Sequence, residues 1–260
     1  MTDKNTVVIK VGTSTLTHNG GGINIRRFEK LTKVLSDIKN QGKKIILVSS
    51  GAISTGMSKM GISKRPDCTR DKQALASIGQ CELMSYYSRL FGEYNHKVAQ
   101  ILLTKDVVSD KVRYENAAAT FERLLALGVI PIVNENDTIS TEQVEFGDND
   151  TLSATVARLS KAGLLIILSD IDGLFDSDPR KNENARLIET VDKIDEKIES
   201  IAGGAGTSRG TGGMITKIHA AKDATKEGID VVIANGENPE ILYDILDGTA
   251  KCTLFKSNRE

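Results

Sequence analysis

The chain has 260 residues, 39% hydrophobic and 27% charged, enough to bury the core of one α/β domain. Its 34 basic and 35 acidic residues leave a formal net charge of −1, and only 4% of residues are aromatic, with no Trp. That composition argues against a nucleic-acid partner, which favours a basic surface and aromatic stacking platforms.

The polar start, Met1-Thr2-Asp3-Lys4-Asn5, has no apolar signal core, and the densest apolar stretch, Leu164 to Leu168, is far too short to cross a bilayer. No membrane partner and a cytoplasmic location are expected. Cys68, Cys81 and Cys252 are scattered, without a CxxC or a nearby His, and read as unpaired thiols. His18, His96 and His219 have no metal-ligand spacing.

Short, continuously apolar runs predict strands at Thr6–Val11, Lys44–Ser49, Val98–Leu103, Val129–Val133, Leu164–Ser169 and Asp230–Ala234. Such runs suit strands covered on both faces, as in a parallel sheet. Between the first two, Phe28, Leu31, Val34, Leu35 and Ile38 fall on one helical face, with Gly42 as the stop. Helical patterns return at Ala117–Leu127, from Asn149 or Asp150 through Ala162, and at Ile215–Ala224. Strand–helix alternation along the whole chain predicts an α/β fold around a mainly parallel sheet. A weak division near Ala162 suggests two lobes of one domain, about 1–162 and 163–260.

Ligands of open α/β sheets bind beyond the carboxyl ends of the strands, and the informative residues fall there. The first strand ends in Lys10-Val11-Gly12-Thr13-Ser14. A Lys inside a buried strand pattern is costly unless paired, and Gly12 permits close approach of a ligand to the backbone. The second ends in Ser50-Gly51-Ala52, whose N–H groups suit a polar or anionic ligand. The fourth leads to Asn134-Glu135-Asn136-Asp137, then to Gly147-Asp148-Asn149-Asp150; helix capping and turn formation do not readily account for all these acids and amides. The fifth ends in Ser169-Asp170-Ile171-Asp172-Gly173, which suits either a nucleotide loop or a surface turn. Last comes Gly210-Thr211-Gly212-Gly213-Met214-Ile215-Thr216-Lys217 at a helix start, where the helix dipole attracts phosphate and disfavours a cation. Lys217 in that first turn therefore calls for an anionic partner.

Several classes are excluded by what the chain lacks. Gly-x4-Gly-Lys-Ser/Thr is absent, as are the HRD and DFG pair and a GxGxxG after the first strand. The acids around Asp148 do not follow a calcium-loop order.

The segments VVIKVGTSTLT (7–17), VSSGAISTG (48–56), IPIVNENDTI (130–139), FGDNDTLSA (146–154), LSDIDGLFDSDPR (168–180) and GTGGMITK (210–217) together resemble the amino-acid kinase family. The resemblance is to its branch that transfers phosphate from ATP to the γ-carboxylate of L-glutamate, the first step of proline synthesis. It implies a three-layer αβα sandwich, with glutamate on the 1–162 side and nucleotide on the 163–260 side. It also implies Mg²⁺ carried by ATP with no protein metal ligands, assembly as a dimer or tetramer, and often feedback inhibition by proline. Matched to the family's motifs, Lys10 and Lys217 meet phosphate and Asp150 holds the two lysines. Ser50, Gly51, Asp137 and Asn149 bind substrate. Lys10, Gly12, Ser169, Asp170, Thr211, Gly212, Gly213, Met214, Ile215, Thr216 and Lys217 bind the nucleotide. Many members also carry a C-terminal PUA domain, for which a chain ending at Glu260 is expected to have no room. Other branches of the family act on aspartate, N-acetylglutamate, carbamate or UMP, and a non-catalytic sensor could use the same fold. The NEND and GDND segments favour glutamate, while both lysines and Asp150 disfavour a sensor.

Overall fold

The computed structural model describes residues 2–18, 22–140, 149–203 and 213–257. In chain order its first half runs β1 (Asp3–Val11), α1 (Thr13–Leu16), α2 (Ile25–Asn40), β2 (Lys44–Ser49), α3 (Ala52–Lys59), α4 (Thr69–Glu93), β3 (Val98–Leu103), α5 (Lys111–Ala126) and β4 (Ile130–Glu135). The second half runs α6 (Asn149–Leu159), β5 (Ala162–Ser169), β6 (Thr190–Val191), α7 (Glu196–Gly203), α8 (Met214–Lys226), β7 (Asp230–Asn235), α9 (Ile241–Asp247) and β8 (Cys252–Phe255).

The strands form one sheet in the order β3-β4-β2-β1-β5-β7-β8-β6. The six from β3 to β7 are parallel; β8 runs antiparallel to β7, and β6 pairs parallel with β8. β1 lies between β2 and β5, so the chain moves outward to one side and then returns to build the other. That is the switch point where open α/β sheets open a crevice.

Continuously apolar strands follow from burial on both faces. Val7, Ile9 and Val11 of β1 belong to a core shared with α2, α4 and α9, through Phe28, Tyr87, Phe91 and Leu242. Val8 belongs to the opposite core, with Phe121 of α5, Val156 of α6 and Ile218 of α8. The period of two places Lys10 on the Val8 face, toward α6 and α8. The sheet with helices on both sides is the expected αβα sandwich. No described helix is long and apolar enough to cross a membrane, and the three cysteines are free thiols.

The first helix matches its pattern: all five expected residues of α2 are buried. Asn24 caps it by accepting from the Arg27 N–H at 3.1 Å, and Gly42 beyond its end has φ of +97°. The helix expected through Ala162 ends at Leu159 instead. Lys161 takes a left-handed φ of 52° and the chain turns directly into β5. No helix is predicted for the α4 segment from sequence. Its buried stripe includes Ala76, Gly79 and Gln80, which weakens the apolar periodicity. Tertiary packing supplies what the pattern lacks. A Cβ on Gly79 would lie 1.8 Å from the Ala52 carbonyl oxygen, and one on Gly56 2.0 Å from that of Leu75. α3 and α4 therefore touch backbone to backbone.

A Gly79→Ala variant should be destabilised by about 1–3 kcal/mol, the cost of overpacking a close contact. Urea unfolding checks this; an unchanged midpoint would show that α3 and α4 can separate freely.

Candidate active site

The site forms where the carboxyl ends of β1, β2, β4 and β5 meet the first turns of α6 and α8. Lys10, Lys217 and Asp150 come together at its centre. Lys10 Nζ lies 2.6 Å from Asp150 Oδ1, and Lys217 Nζ lies 3.0 Å from Oδ2. The lysines are each 6% exposed and Asp150 is fully buried. A strand lysine reaching solvent is thus ruled out. The anion that Lys217 needs in its helical first turn is Asp150. The carboxylate itself sits in the first turn of α6, where the dipole favours it. These three side chains hold two positive charges around one negative charge.

Two clefts open on either side. One, about 310 Å³, is lined by Ser169, Asp170, Asp172, Arg180, Met214, Lys217 and Asn235, among others. The other, about 70 Å³, is lined by Thr13, Ser50, Gly51, Arg65, Asn134, Glu135, Asp137 and Asn149, among others. Ser169, Asp170, Met214 and Lys217 thus gather in the larger cleft, and Ser50, Gly51, Asp137 and Asn149 in the smaller. Gly12 adjoins the central lysine: a Cβ there would stand 3.9 Å from Lys10 Nζ. Its φ of −82° is open to any residue, so the missing side chain chiefly leaves room beside the ammonium.

Gly213 caps α8 without a side-chain bond, its carbonyl oxygen accepting from the Thr216 N–H at 3.2 Å. Ile215 packs toward the core. Thr216 turns to the centre, its Oγ1 lying 3.2 Å from Asp150 Oδ2 and 2.8 Å from the Gly213 carbonyl oxygen. Thr211 and Gly212 lie outside the described residues, as does Asp148.

The smaller cleft has a rigid rear wall. Gly51 adopts φ of +100° to start α3 directly after β2. Asn149 Nδ2 lies 2.8 Å from the Ser49 carbonyl oxygen, 2.9 Å from Ser50 Oγ and 2.8 Å from Asn134 Oδ1. Asn134 Nδ2 in turn donates to Gln80 Oε1 at 2.9 Å. Behind Ser49, its Oγ lies 2.9 Å from the Tyr87 hydroxyl; burial pushes that phenol's pKa up, so it stays protonated. Burial first, then the neighbouring Glu135, pushes Asp137 up to about 6, with Arg65 opposing both.

Sequence reading missed Gln80, Tyr87, Arg65 and Asn235. Asn235 ends β7 and donates to Asp172 Oδ1 at 3.1 Å; the strand-end rule could have found it. Arg65 sits in an exposed polar segment and carries no such signal.

Comparison with known proteins shows the family. The amino acid kinase family model matches residues 5–235. A Clostridium perfringens protein named glutamate 5-kinase is 54% identical over 99% of this chain and 97% of its own length. One of the same name from Clostridium acetobutylicum is 52% identical over 98% and 96%. Among solved structures, UMP kinase from Ureaplasma parvum superposes with a TM-score of 0.68 at 14% identity, covering 98% of this chain and all of that one. Carbamate kinase from Giardia lamblia bound to AMP-PNP gives 0.68 at 18% identity, covering 97% and 98%. The chain belongs to the amino acid kinase family. The two structural neighbours bear on the fold alone.

Replacing Asp150 with Ala leaves two buried ammonium groups without their shared carboxylate. The variant should lose about 3 kcal/mol of stability, as broken buried ion pairs do. Urea unfolding at pH 7 reads this; a midpoint equal to wild type would contradict the pairing.

Proposed function

We propose that this protein is a glutamate 5-kinase, transferring the γ-phosphoryl group of ATP to the γ-carboxylate of L-glutamate to give L-glutamyl 5-phosphate. The carrying observation is the pair of buried lysines on Asp150, set between a larger and a smaller cleft. Identity of 50–54% to proteins named glutamate 5-kinase supports the choice of substrate.

The chemistry fits the residues present. A γ-carboxylate has a pKa of about 4.3 and is ionised at neutral pH, so its oxygen attacks phosphorus without a general base. The problem is bringing an anion to an anionic phosphoryl group. Such transfer rests on in-line positioning and charge neutralisation. Lys10 and Lys217 serve the phosphoryl oxygens from the side of the protein, and Asp150 fixes their ammonium groups without taking a proton. Ser50, Asp137 and Asn149 hold glutamate, with Asp137 facing its ammonium group and the Gly51 turn presenting N–H groups. Ser169, Asp170 and the 211–217 segment hold the nucleotide. The two lobes, about 1–162 and 163–260, then carry glutamate and ATP respectively.

Mg²⁺ takes most of its ligands from phosphate oxygens and water. A magnesium ion that arrives with ATP would offset phosphate charge without a dedicated set of protein carboxylates. The same reading includes proline as feedback inhibitor, a dimer or tetramer, and a cytoplasmic enzyme.

The direct test incubates the protein with Mg-ATP, L-glutamate and hydroxylamine, which traps the acyl phosphate as a hydroxamate. Glutamate-dependent hydroxamate and ADP are expected; their absence would overturn the reading in favour of a sensor or another substrate. Lys10→Ala and Lys217→Ala should each lower kcat at least ~100-fold, as loss of comparable transition-state donors does. A near-normal kcat removes that lysine from the mechanism.

Asp137 must be ionised to meet an ammonium group, and its pKa is about 6. The KM for glutamate should therefore rise as pH falls through 6, while the substrate's own γ-carboxylate stays ionised down to about 4.3. Asp137→Asn should show a raised KM that is flat across this range. The same slope in the variant would assign the titration elsewhere.

A further inference from the structure

Two charged residues of the smaller cleft, Glu135 and Arg65, have no role in the mechanism above. Arg65 lies in the exposed segment between α3 and α4 and reaches the cleft that Ser50, Asp137 and Asn149 share. Among the described residues lining that cleft it is the one cation, beside two acids, Glu135 and Asp137.

The substrate's charges can be matched to these groups in turn. The γ-carboxylate must point to Lys10 and Lys217, where the phosphoryl group arrives. The ammonium group belongs with Asp137 and Glu135. The α-carboxylate is bonded to the same carbon as that ammonium group, so it enters the field of both acids and would be repelled by them. N–H groups at the start of α3 can donate to it but carry no full charge. A guanidinium offers both the charge and a planar fork that matches carboxylate geometry.

We propose that Arg65 is a specificity-determining residue that binds the α-carboxylate of the amino-acid substrate and offsets its repulsion by Glu135 and Asp137. This rests on the glutamate reading of the site. The field of Arg65 reaches this group of charges, since it acts on Asp137 against the upward push of burial. As an exposed residue, Arg65 can enclose substrate after entry, whereas the buried amides behind the cleft are already fixed. The resulting selection is for a free α-amino acid with both charges at one end. An N-acylated substrate lacks the ammonium group, and 4-aminobutanoate lacks the α-carboxylate.

The test compares wild type, Arg65→Met and Arg65→Lys on L-glutamate and on 4-aminobutanoate, measured as a substrate or as a competitor of glutamate. The assays are run at pH 8, above the titration of Asp137, and those on glutamate are repeated at pH 6. Arg65→Met should lower kcat/KM for glutamate at least ~10-fold, chiefly through KM, as loss of a charge-assisted hydrogen bond does. Binding or turnover of 4-aminobutanoate should change by less than about threefold, because that compound has no group for Arg65 to meet. Arg65→Lys should fall between, keeping the charge without the fork. An unchanged glutamate KM in Arg65→Met overturns the proposal, as does an equal loss on both compounds, which would mark a structural role. An effect present at pH 6 but absent at pH 8 also overturns it, since Arg65 would then act only through Asp137. A wild type inactive on glutamate would overturn the substrate reading and this proposal together; an active wild type with an indifferent Arg65→Met overturns this proposal alone.

Discussion

Two ammonium groups share one buried carboxylate at the centre of this molecule. Lys10 and Lys217 both reach Asp150, at 2.6 and 3.0 Å. Burying any one of these charges alone would be expensive; together they are sustained by mutual attraction. The arrangement also fixes two long, flexible side chains before ligand arrives. On the proposed function, a transferring phosphoryl group would meet positive charge already in place, which is how preorganised electrostatics lowers a barrier.

The fold exists around that contact. β1 occupies the switch point of the sheet, with β2 on one side and β5 on the other. The twofold alternation of β1 sends Ile9 and Val11 into one core and Lys10 toward the other face, where α6 and α8 begin. α6 brings Asn149 and Asp150 as consecutive residues in its first turn. One faces the smaller cleft through Ser50 and Asn134; the other holds the lysines. The buried chain Gln80–Asn134–Asn149 ties α4 to this turn, so the helix least visible in the sequence braces the wall of the smaller cleft.

Much of this was legible from the chain alone, for identifiable reasons. Strands buried on both faces leave continuous apolar runs, and Lys10 stood out as a charge inside one of them. Glycine-rich turns marked strand ends. Other features left no comparable trace. β8 is a short strand between β7 and the two-residue edge strand β6, with only Thr253 and Phe255 fully buried. α4 packs through Gly79 and Gln80 rather than a clean apolar stripe. The helix before β5 stops early because Lys161 turns left-handed, which no residue type announced. Thr216 belongs to the segment matched to nucleotide binding, and its hydroxyl also meets Asp150; only three-dimensional proximity reveals that contact. Arg65 is an exposed arginine in a polar segment, indistinguishable by sequence from a solvated one.

A crystal structure with a non-hydrolysable ATP analogue, Mg²⁺ and L-glutamate tests the central claim most directly. Both Nζ atoms, of Lys10 and Lys217, should lie at hydrogen-bond distance, about 2.7–3.2 Å, from oxygens of the terminal phosphate. A γ-carboxylate oxygen should stand in line, about 3–3.5 Å from its phosphorus. A terminal phosphate seated away from Lys10, with both lysines still turned wholly to Asp150, would contradict the account.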